Sequence, residues 1–252
     1  MNKHKISSLN ELIHRANQNL EWFWKEIDRD IGLVWNEPYK KILDTSNGIP
    51  WSTWFIGGKI NIYNSSVEKF AKKKPNKIAY HFVSEDGTTS QITYLGLELK
   101  IGKLANALKK LGVRKGDVVA IYLPMIEEAI LAILASAKIG AIQTVIFSGY
   151  SSESLQIRLQ DCKAKVLFVC DGFQRKGKTI SQKQIINKAI KDTKIEKVIV
   201  VPYMGVDKYN EFEKFIFYDS IMSSENSICP TEIMNSEDPL FILYTSGTTG
   251  KP

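Results

Sequence analysis

The hydrophobic pattern of this 252-residue chain changes near residue 67, from an irregular aromatic segment to a regular alternation of short apolar runs and helical periods. Between residues 9 and 24, apolar side chains recur at a helical spacing, which predicts an amphipathic helix. All five tryptophans lie in the first 54 residues. So many large side chains without a regular pattern predict a cap that packs against something larger, because they would hardly form a core alone.

Beyond residue 67 the pattern alternates between strands and helices. Strands are predicted at residues 78–83, 90–94, 118–123, 141–147, 165–170, 197–201 and 240–244. Helices are predicted at residues 67–73, 95–111, 127–138, 152–160 and 182–191. This alternation predicts an α/β fold, with a mostly parallel sheet and helices on both of its faces. Residues 204–237 have the weakest pattern and are predicted to form a surface excursion.

The last predicted strand runs into a loop rich in glycine and hydroxyl groups, with the sequence Y-T-S-G-T-T-G-K-P at residues 244–252. Ligands of open α/β sheets bind beyond the carboxyl ends of the strands, which is where this loop is placed. Its glycines allow close backbone approach, and its hydroxyls and lysine offer donors and charge to a polyanion. We therefore predict that the loop binds nucleotide phosphates, through Thr245, Ser246, Gly247, Thr248, Thr249, Gly250 and Lys251.

This loop has two other interpretations, and the first does not match the sequence. A Walker A loop requires the pattern G-x-x-x-x-G-K-[ST], whereas here the glycines are three residues apart and Pro252 replaces the hydroxyl residue. A plain Ser/Thr/Gly linker is the second alternative, because a pair of glycines carries little information by itself.

A second candidate site lies between the predicted strand at 165–170 and the helix that follows it. This segment carries three cations, Arg175, Lys176 and Lys178, beside Gly177. Cations at the carboxyl end of a strand can hold a phosphate by charge and by the fork geometry of arginine. The alternative is a basic surface loop without a ligand.

A third candidate site is the turn F-S-G-Y at residues 147–150, which follows the predicted strand at 141–147. Its glycine permits close backbone approach, and its aromatic rings offer a face to a base. An ordinary strand-to-helix turn, capped by Ser151 or Ser152, explains the same residues equally well.

Composition and charge exclude several classes of protein. With 44% hydrophobic and 24% charged residues, the chain is long enough and apolar enough for one large core or two domains. No apolar run approaches the roughly 18 residues of a membrane span. The first residues lack a signal peptide, so a cytoplasmic location is expected. The net charge of +7 suits an anionic ligand, but the lysines are dispersed and no nucleic-acid-binding motif accompanies them.

The three cysteines and three histidines are scattered along the chain. No C-x-x-C pair is present, and an odd number of cysteines fits buried thiols in a reducing compartment better than a disulfide scaffold. We therefore predict no metal site in this sequence.

Two stretches resemble a known family. The loop Y-T-S-G-T-T-G-K-P resembles the phosphate-binding signature of the adenylate-forming superfamily, which includes acyl-CoA synthetases, luciferases and peptide-synthetase adenylation domains. The stretch W-F-I-G-G-K-I-N at residues 54–61 resembles the N-terminal region of acyl-CoA synthetases of the acetyl-CoA synthetase type, although V-E-K-F at 67–70 departs from their V-D-R-H. The resemblance implies an N-terminal extension at residues 1–66 and part of an AMP-binding (adenylation) domain at 67–252.

The resemblance also implies a reaction and its ligands. A short carboxylic acid such as acetate attacks ATP to give an acyl-adenylate, and coenzyme A then displaces AMP, with Mg²⁺ assisting. By similarity to an R-G-G-R turn of the family, contact with the 3′-phosphate of coenzyme A is assigned to Arg175, Lys176, Gly177 and Lys178. By similarity to an F-G-G-F turn, contact with its adenine is assigned to Phe147, Ser148 and Gly149. Lysine in place of arginine keeps the charge but loses the bidentate geometry.

The family's other motifs, namely the acyl pocket, the magnesium carboxylate and the catalytic lysine of a C-terminal domain, are expected beyond residue 252. We therefore expect this chain to hold no catalytic residue and no metal ligand, and to be an inactive amino-terminal fragment of an AMP-forming acid–CoA ligase. Its partner would then be a complementary C-terminal fragment. The alternative from another class is a binding or interaction remnant. A separate nucleotide-hydrolysing or nucleic-acid-binding protein is disfavoured by the Walker mismatch and the dispersed lysines.

Overall fold

The computed structural model of the chain describes residues 4–205 and 214–245. These residues divide into two compact units. The first unit comprises the chain up to Asn61 together with Ile233–Asp238, and the second comprises Ile62–Glu232 together with the segment that starts at Pro239. Each unit is described by itself below.

Among its described residues, the first unit contains two α-helices, a short 3-10 helix (Ile49–Trp51) and four short strands. The helices are α1 (Leu9–Gln18) and α2 (Leu20–Ile31), and the strands are β1 (Trp35–Glu37), β2 (Lys41–Asp44), β3 (Thr53–Ile56) and β4 (Lys59–Ile60). The strands form two antiparallel pairs, β1 with β4 and β2 with β3.

The helix predicted at residues 9–24 is two helices, so the single-helix prediction was wrong. Asn19 ends α1, where its backbone N–H donates to the carbonyl of Arg15, and it also caps α2, where its Oδ1 accepts from the N–H of Trp22 at 2.8 Å. Asparagine is among the strongest N-cap residues, and this local preference overrides a helical period that continues past it. Gly32, with a φ of 65°, ends α2 in the left-handed conformation.

Aromatic side chains of the first unit pack against one another. The rings of Trp24 and Trp54 lie 5.6 Å apart, and those of Trp35 and Phe55 lie 5.5 Å apart. The carboxylate of Asp28 accepts hydrogen bonds from Trp35 Nε1 and Tyr39 Oη, both at 2.9 Å. These contacts order the tryptophan-rich segment within its own unit, while its predicted role as a cap on a larger core stays a prediction.

The second unit contains nine strands and six helices among the described residues. The strands are β5 (Ile78–Val83), β6 (Thr89–Thr93), β7 (Val118–Tyr122), β8 (Ile142–Val145), β9 (Val166–Cys170), β10 (Gly172–Arg175), β11 (Lys178–Ser181), β12 (Lys197–Val201) and β13 (Phe215–Phe217). The helices are α3 (Lys69–Lys73), α4 (Tyr94–Lys110), α5 (Glu127–Lys138), α6 (Ser152–Asp161), α7 (Lys183–Ala189) and α8 (Tyr218–Ser223). A π-helical turn, Asn64–Glu68, leads into α3.

A five-stranded parallel sheet in the order β13-β12-β9-β7-β8 forms the centre of this unit. Its strand β7 is buried on both faces. Val119 and Ile121 face a core shared with α4 and α5, whereas Ala120 and Tyr122 face a second core shared with α6 and α7. The predicted α/β class, with a parallel sheet and helices on both faces, is therefore confirmed.

The apolar run at 240–244 does not form the full strand that its pattern predicts. It lies parallel to β8 and meets it in a single bridge between Gln143 and Phe241. The N–H of Gln143 donates to the carbonyl of Leu240 at 3.2 Å, and the N–H of Ile242 donates to the carbonyl of Gln143 at 3.0 Å. Because Gln143 supplies both of these bonds, the pairing is limited to one residue of β8.

The predicted surface excursion at 204–237 was wrong in part. Within it, β13 pairs in parallel with β12 and becomes one border of the sheet, and α8 follows directly. Tyr218 of α8 is buried against the core. Charged residues near β13 make its apolar pattern too weak to predict a strand. Its strand conformation depends on pairing with the open border of β12.

Candidate functional site at the carboxyl edge of the sheet

The segments that follow β7, β8, β9 and β12 emerge at the same edge of the sheet, because these strands are parallel. The turn at 147–150 follows β8, and the hairpin of β10 and β11 follows β9. Two of the three segments that the sequence singled out therefore lie at the edge where ligands of such sheets bind.

The basic segment after β9 is a β-hairpin with its cations at and beside the turn. β10 and β11 pair in register from Gly172 and Ser181 to Arg175 and Lys178. Lys176 and Gly177 form the two-residue turn with φ angles of 51° and 70°. Two successive positive φ angles are typical of the turns that match the twist of paired strands. The pairing places Arg175 and Lys178 opposite each other, on either side of the turn.

The hairpin and the turn after β8 meet. The guanidinium carbon of Arg175 lies 5.3 Å from the centre of the Phe147 ring. A Cβ atom added to Gly149 would lie 2.4 Å from Arg175 Nη1 and 2.6 Å from Phe147 Cε1, so this approach requires glycine. Two segments that the sequence proposed separately thus form one cluster, with a cation against an aromatic face.

Both aromatic residues of the turn, Phe147 and Tyr150, are exposed, whereas Ser148 between them is buried. The side chain of Phe147 is 56% exposed, and its ring meets that of Tyr150 edge-on at 5.6 Å. Ser148 is buried, and Tyr122 Oη donates to the carbonyl of Tyr150 at 2.7 Å. Ser151 caps α6 by accepting from the N–H of Ser154, so the cap expected of an ordinary strand-to-helix turn is present as well.

Two buried polar side chains bond to backbone groups near the carboxyl ends of β8, β9 and β12, and the sequence reasoning missed both. Gln182 Oε1 accepts from the N–H of Cys170 at 3.2 Å, and its Nε2 donates to the carbonyl of Ser148 at 3.5 Å. Asp171 Oδ1 accepts from the N–H groups of Tyr203 and Met204 at 2.8 and 2.9 Å. A carboxylate directly after a fully apolar strand was the signal that would have identified Asp171, since such a buried charge needs backbone donors.

Cys170, at the end of β9, is a structural thiol. Burial raises its pKa to about 12, and its Sγ lies 3.3 Å from Gln182 Oε1. All three cysteines are buried and free, as expected for a chain without a disulfide framework. A thiol with a raised pKa is a poor nucleophile, so Cys170 offers no covalent chemistry to the site.

The segment that leads to the predicted phosphate loop is attached to α6. Arg158 of α6 is only 8% exposed, and its guanidinium carbon lies 4.5 Å from the centre of the Tyr150 ring and 5.4 Å from that of Tyr244. Its Nη1 donates to the carbonyl of Ser154 at 2.8 Å. Tyr244 Oη donates to Asp161 Oδ2 at 2.7 Å. Arg158 therefore connects the turn after β8 to the residue that precedes the loop.

Of the seven residues predicted to bind phosphate, the structure describes Thr245, which is exposed. The other six, Ser246, Gly247, Thr248, Thr249, Gly250 and Lys251, lie outside the described residues. Their role stays a prediction.

No group of three histidine, cysteine, aspartate or glutamate side chains in residues 4–205 and 214–245 is arranged to hold a metal ion. Across the same residues, every helix is too short or too polar to cross a bilayer.

Comparison with known families gives two matches that cover most of the chain. The family described as AMP-binding enzyme matches residues 67–252. The family described as acetyl-coenzyme A synthetase N-terminus matches residues 9–65.

Curated relatives show similarity along the whole chain. It is 43% identical over 255 aligned residues to acetyl-coenzyme A synthetase of Methanothrix thermoacetophila, covering 100% of this chain and 38% of that protein. It is 40% identical over 247 residues to acetyl-coenzyme A synthetase of Helicobacter pylori, covering 96% of this chain and 37% of that protein. The chain thus spans just over a third of the length of these relatives.

A solved structure has the same fold over nearly the whole chain. Acetoacetyl-CoA synthetase from Streptomyces lividans superposes with a TM-score of 0.85 at 29% identity, covering 95% of this chain and 36% of that one.

Proposed function

The chain belongs to the AMP-binding enzyme family, and from this membership we propose that it carries the amino-terminal part of an AMP-forming acetate–CoA ligase. Identities of 40% and 43% to acetyl-coenzyme A synthetases support acetate, or another short carboxylic acid, as the acid. The match of residues 9–65 to the N-terminus of that group supports the same assignment.

The proposed reaction has two steps. A carboxylate oxygen of the acid attacks the α-phosphorus of ATP, pyrophosphate leaves, and an acyl-adenylate forms. The thiol of coenzyme A then releases its proton to solvent as its sulfur attacks the acyl carbon, the thioester forms, and AMP leaves with the electron pair of the broken C–O bond. Both steps need donors that hold phosphate charge in a fixed geometry.

In this proposal the loop at 245–251 binds the phosphates of ATP, with its hydroxyls and backbone N–H groups as donors and Lys251 as a cation. The hydrogen bond from Tyr244 Oη to Asp161 fixes the residue that precedes the loop. Arg158 connects that residue to the turn after β8, so the proposed ATP and coenzyme A segments share one support.

The cluster at the carboxyl edge is proposed to hold the adenosine end of coenzyme A. Arg175, with Lys176, Gly177 and Lys178 around it, would bind the 3′-phosphate, and Phe147, with Ser148 and Gly149, would contact the adenine. The single observation that carries this proposal is the approach of the Arg175 guanidinium to Phe147 over Gly149. A guanidinium that can donate hydrogen bonds to a phosphate and an aromatic face that can contact a base then lie together. A nucleotide with a phosphate on its ribose requires both groups.

The family also implies Mg²⁺. Among the described residues, no group of carboxylates or histidines is arranged to hold it. The roles proposed for this chain's own residues therefore do not involve a metal ion.

Calorimetric titration of the chain with coenzyme A and with 3′-dephospho-coenzyme A tests the proposal. Coenzyme A should bind more tightly, and Arg175→Ala should weaken its binding about tenfold while leaving dephospho-coenzyme A unchanged, since bonds to charged groups contribute about 1.5–3 kcal/mol. Arg29→Ala, which removes an exposed arginine of the first unit, is the matched control. Equal affinity for the two ligands would overturn the assignment of this site.

A further inference from the structure

The basic turn of the β10–β11 hairpin is in contact with a carboxylate of the same chain. Glu85 Oε1 accepts a hydrogen bond from the N–H of Gly177 at 2.9 Å. Glu85 lies in the turn between β5 and β6, far from the hairpin in sequence. The turn that places Arg175, Lys176 and Lys178 together is thus held by an acidic side chain from outside it.

The residue before Glu85 makes a second contact at this edge. Its neighbour Ser84 has its Oγ 3.5 Å from Tyr203 Oη, on the segment that follows β12. The β5–β6 turn therefore touches two of the segments at the carboxyl edge of the sheet. Its carboxylate is exposed, so it can move away from Gly177 without disturbing a core.

A backbone N–H at a turn with two positive φ angles, flanked by cations, attracts an anion. In this structure the anion at that N–H is the Glu85 carboxylate. A phosphate that binds the three cations would lie beside this carboxylate, and two like charges in contact disfavour each other. Only one of the two anions can therefore accept the hydrogen bond from the Gly177 N–H.

We propose that Glu85 is an internal competitor that lowers the affinity of the basic turn for a phosphomonoester. The phosphate displaces the carboxylate from Gly177 and, in doing so, releases the β5–β6 turn from the hairpin. A ligand without the phosphate leaves the bond between Glu85 and Gly177 in place. This inference rests on the proposed function, because it takes the 3′-phosphate of coenzyme A as the ligand of the turn.

The opposing interpretation is that Glu85 only positions the hairpin. In that case, loss of the bond would weaken the binding of every ligand that contacts the hairpin. Two substitutions separate the interpretations. Glu85→Gln keeps an acceptor for the Gly177 N–H and removes the charge, whereas Glu85→Ala removes both.

The experiment is a calorimetric titration of the 252-residue chain and its variants with coenzyme A and with 3′-dephospho-coenzyme A. Glu85→Gln and Glu85→Ala should both bind coenzyme A about two- to fivefold more tightly than the unsubstituted chain, the range expected for one exposed charge pair. Their affinity for dephospho-coenzyme A should not change. Asp86→Asn is the control, since it removes a charge from the same turn while its amide oxygen can still accept from the N–H of Thr88.

The outcomes are distinct. If the unsubstituted chain prefers coenzyme A and Glu85→Gln binds it no more tightly, the inference is wrong and the proposed function stands. Tighter binding in Asp86→Asn of the same size would mean that general charge explains the effect, which also overturns the role of Glu85. If the unsubstituted chain does not distinguish the two ligands, the proposed coenzyme A site fails, and the inference fails with it.

Discussion

The hydroxyl of Tyr244 donates a 2.7 Å hydrogen bond to the carboxylate of Asp161, at the last residue of α6. Burial, together with this bond, raises the pKa of Tyr244, so the phenol stays protonated and remains a donor. The residue directly before the predicted phosphate loop is therefore attached to a helix of the sheet's second core.

Tyr244→Phe should lower the free energy of unfolding by about 1 kcal/mol, because it removes the hydroxyl that donates to Asp161 and also lies 3.2 Å from the carbonyl oxygen of Arg158, and it leaves the ring in place. Urea denaturation followed by circular dichroism measures this. Asp161→Ala should lower the free energy of unfolding by a similar amount. The loss in the double variant should be smaller than the sum of the losses in the two single variants. Tyr80→Phe, on β5, is the control and should change little. Additive costs in the double variant would show that the two side chains do not interact.

Gly149→Ala should displace Arg175, because the added methyl group would lie 2.4 Å from its Nη1. We expect only a small loss of stability, below about 1 kcal/mol, because the clashing groups are the ends of side chains that can rotate away. Binding of coenzyme A should weaken as well. In an Arg175→Ala background the same substitution should lower the free energy of unfolding by less, since one of the two clashing groups is absent. An equal cost in both backgrounds would place the strain elsewhere in the turn.

Stability should fall in alkali. Burial raises the pKa of Cys170 from 9.0 and of Tyr122 from 10.0, each to about 12. The folded state therefore keeps two protons that the unfolded chain loses. The contribution of these two groups to the free energy of unfolding is complete below about pH 9 and declines towards about pH 12. Urea midpoints measured across this interval test the prediction. Cys170→Ala should show a shallower decline, and a midpoint that is constant from pH 9 to pH 11 would contradict it.

The 252 residues alone should not catalyse the complete reaction, because they span just over a third of the length of the curated relatives. Release of pyrophosphate from ATP and Mg²⁺, with and without acetate or propionate, is the measurement. We expect no acid-dependent release above background. Acid-dependent turnover by the purified chain would show that the residues present here are sufficient.

The border of the sheet beside β8 should promote self-association. Phe241 and Leu243 are 50% and 65% exposed on the segment that pairs weakly with β8. Within residues 4–205 and 214–245 no further strand pairs with this segment, and an open sheet border invites one. Sedimentation velocity should show concentration-dependent association of the 252-residue chain. Leu243→Lys should reduce it, while Val83→Lys, at an equally exposed position on β5, should not. A monodisperse monomer at all concentrations would disprove this prediction.

The sequence predicted most of the second unit because each of its elements is defined by its own residues. The apolar run of β7 and the helical period of α5 are examples, and the predicted bounds of β12 are the observed ones. Asn19 shows the limit of periodicity, since a cap is a local hydrogen bond that leaves the hydrophobic pattern intact. β13 shows another limit, since its conformation depends on a partner that a sequence pattern does not contain.

The candidate site was predictable as segments but not as a cluster. Arg175 follows β9 and Phe147 follows β8, and the sheet order β9-β7-β8 makes these two segments meet beyond the end of β7. That order is a tertiary property, so neither the contact nor the requirement for Gly149 can be deduced from composition or spacing. The contact between Gly177 and Glu85 could not be predicted for the same reason, because Glu85 lies in a different hairpin.

The strand order has a consequence for how the chain folds as it leaves the ribosome. β7 is synthesised first, β8 joins one side of it, and β9, β12 and β13 then join the other side in turn. Each new strand meets an open border, and none has to be inserted between two strands that are already paired. A nascent chain can therefore assemble this sheet progressively during translation. The free side of β8 is left until the end, when the segment that leads to the phosphate loop emerges and takes its place there.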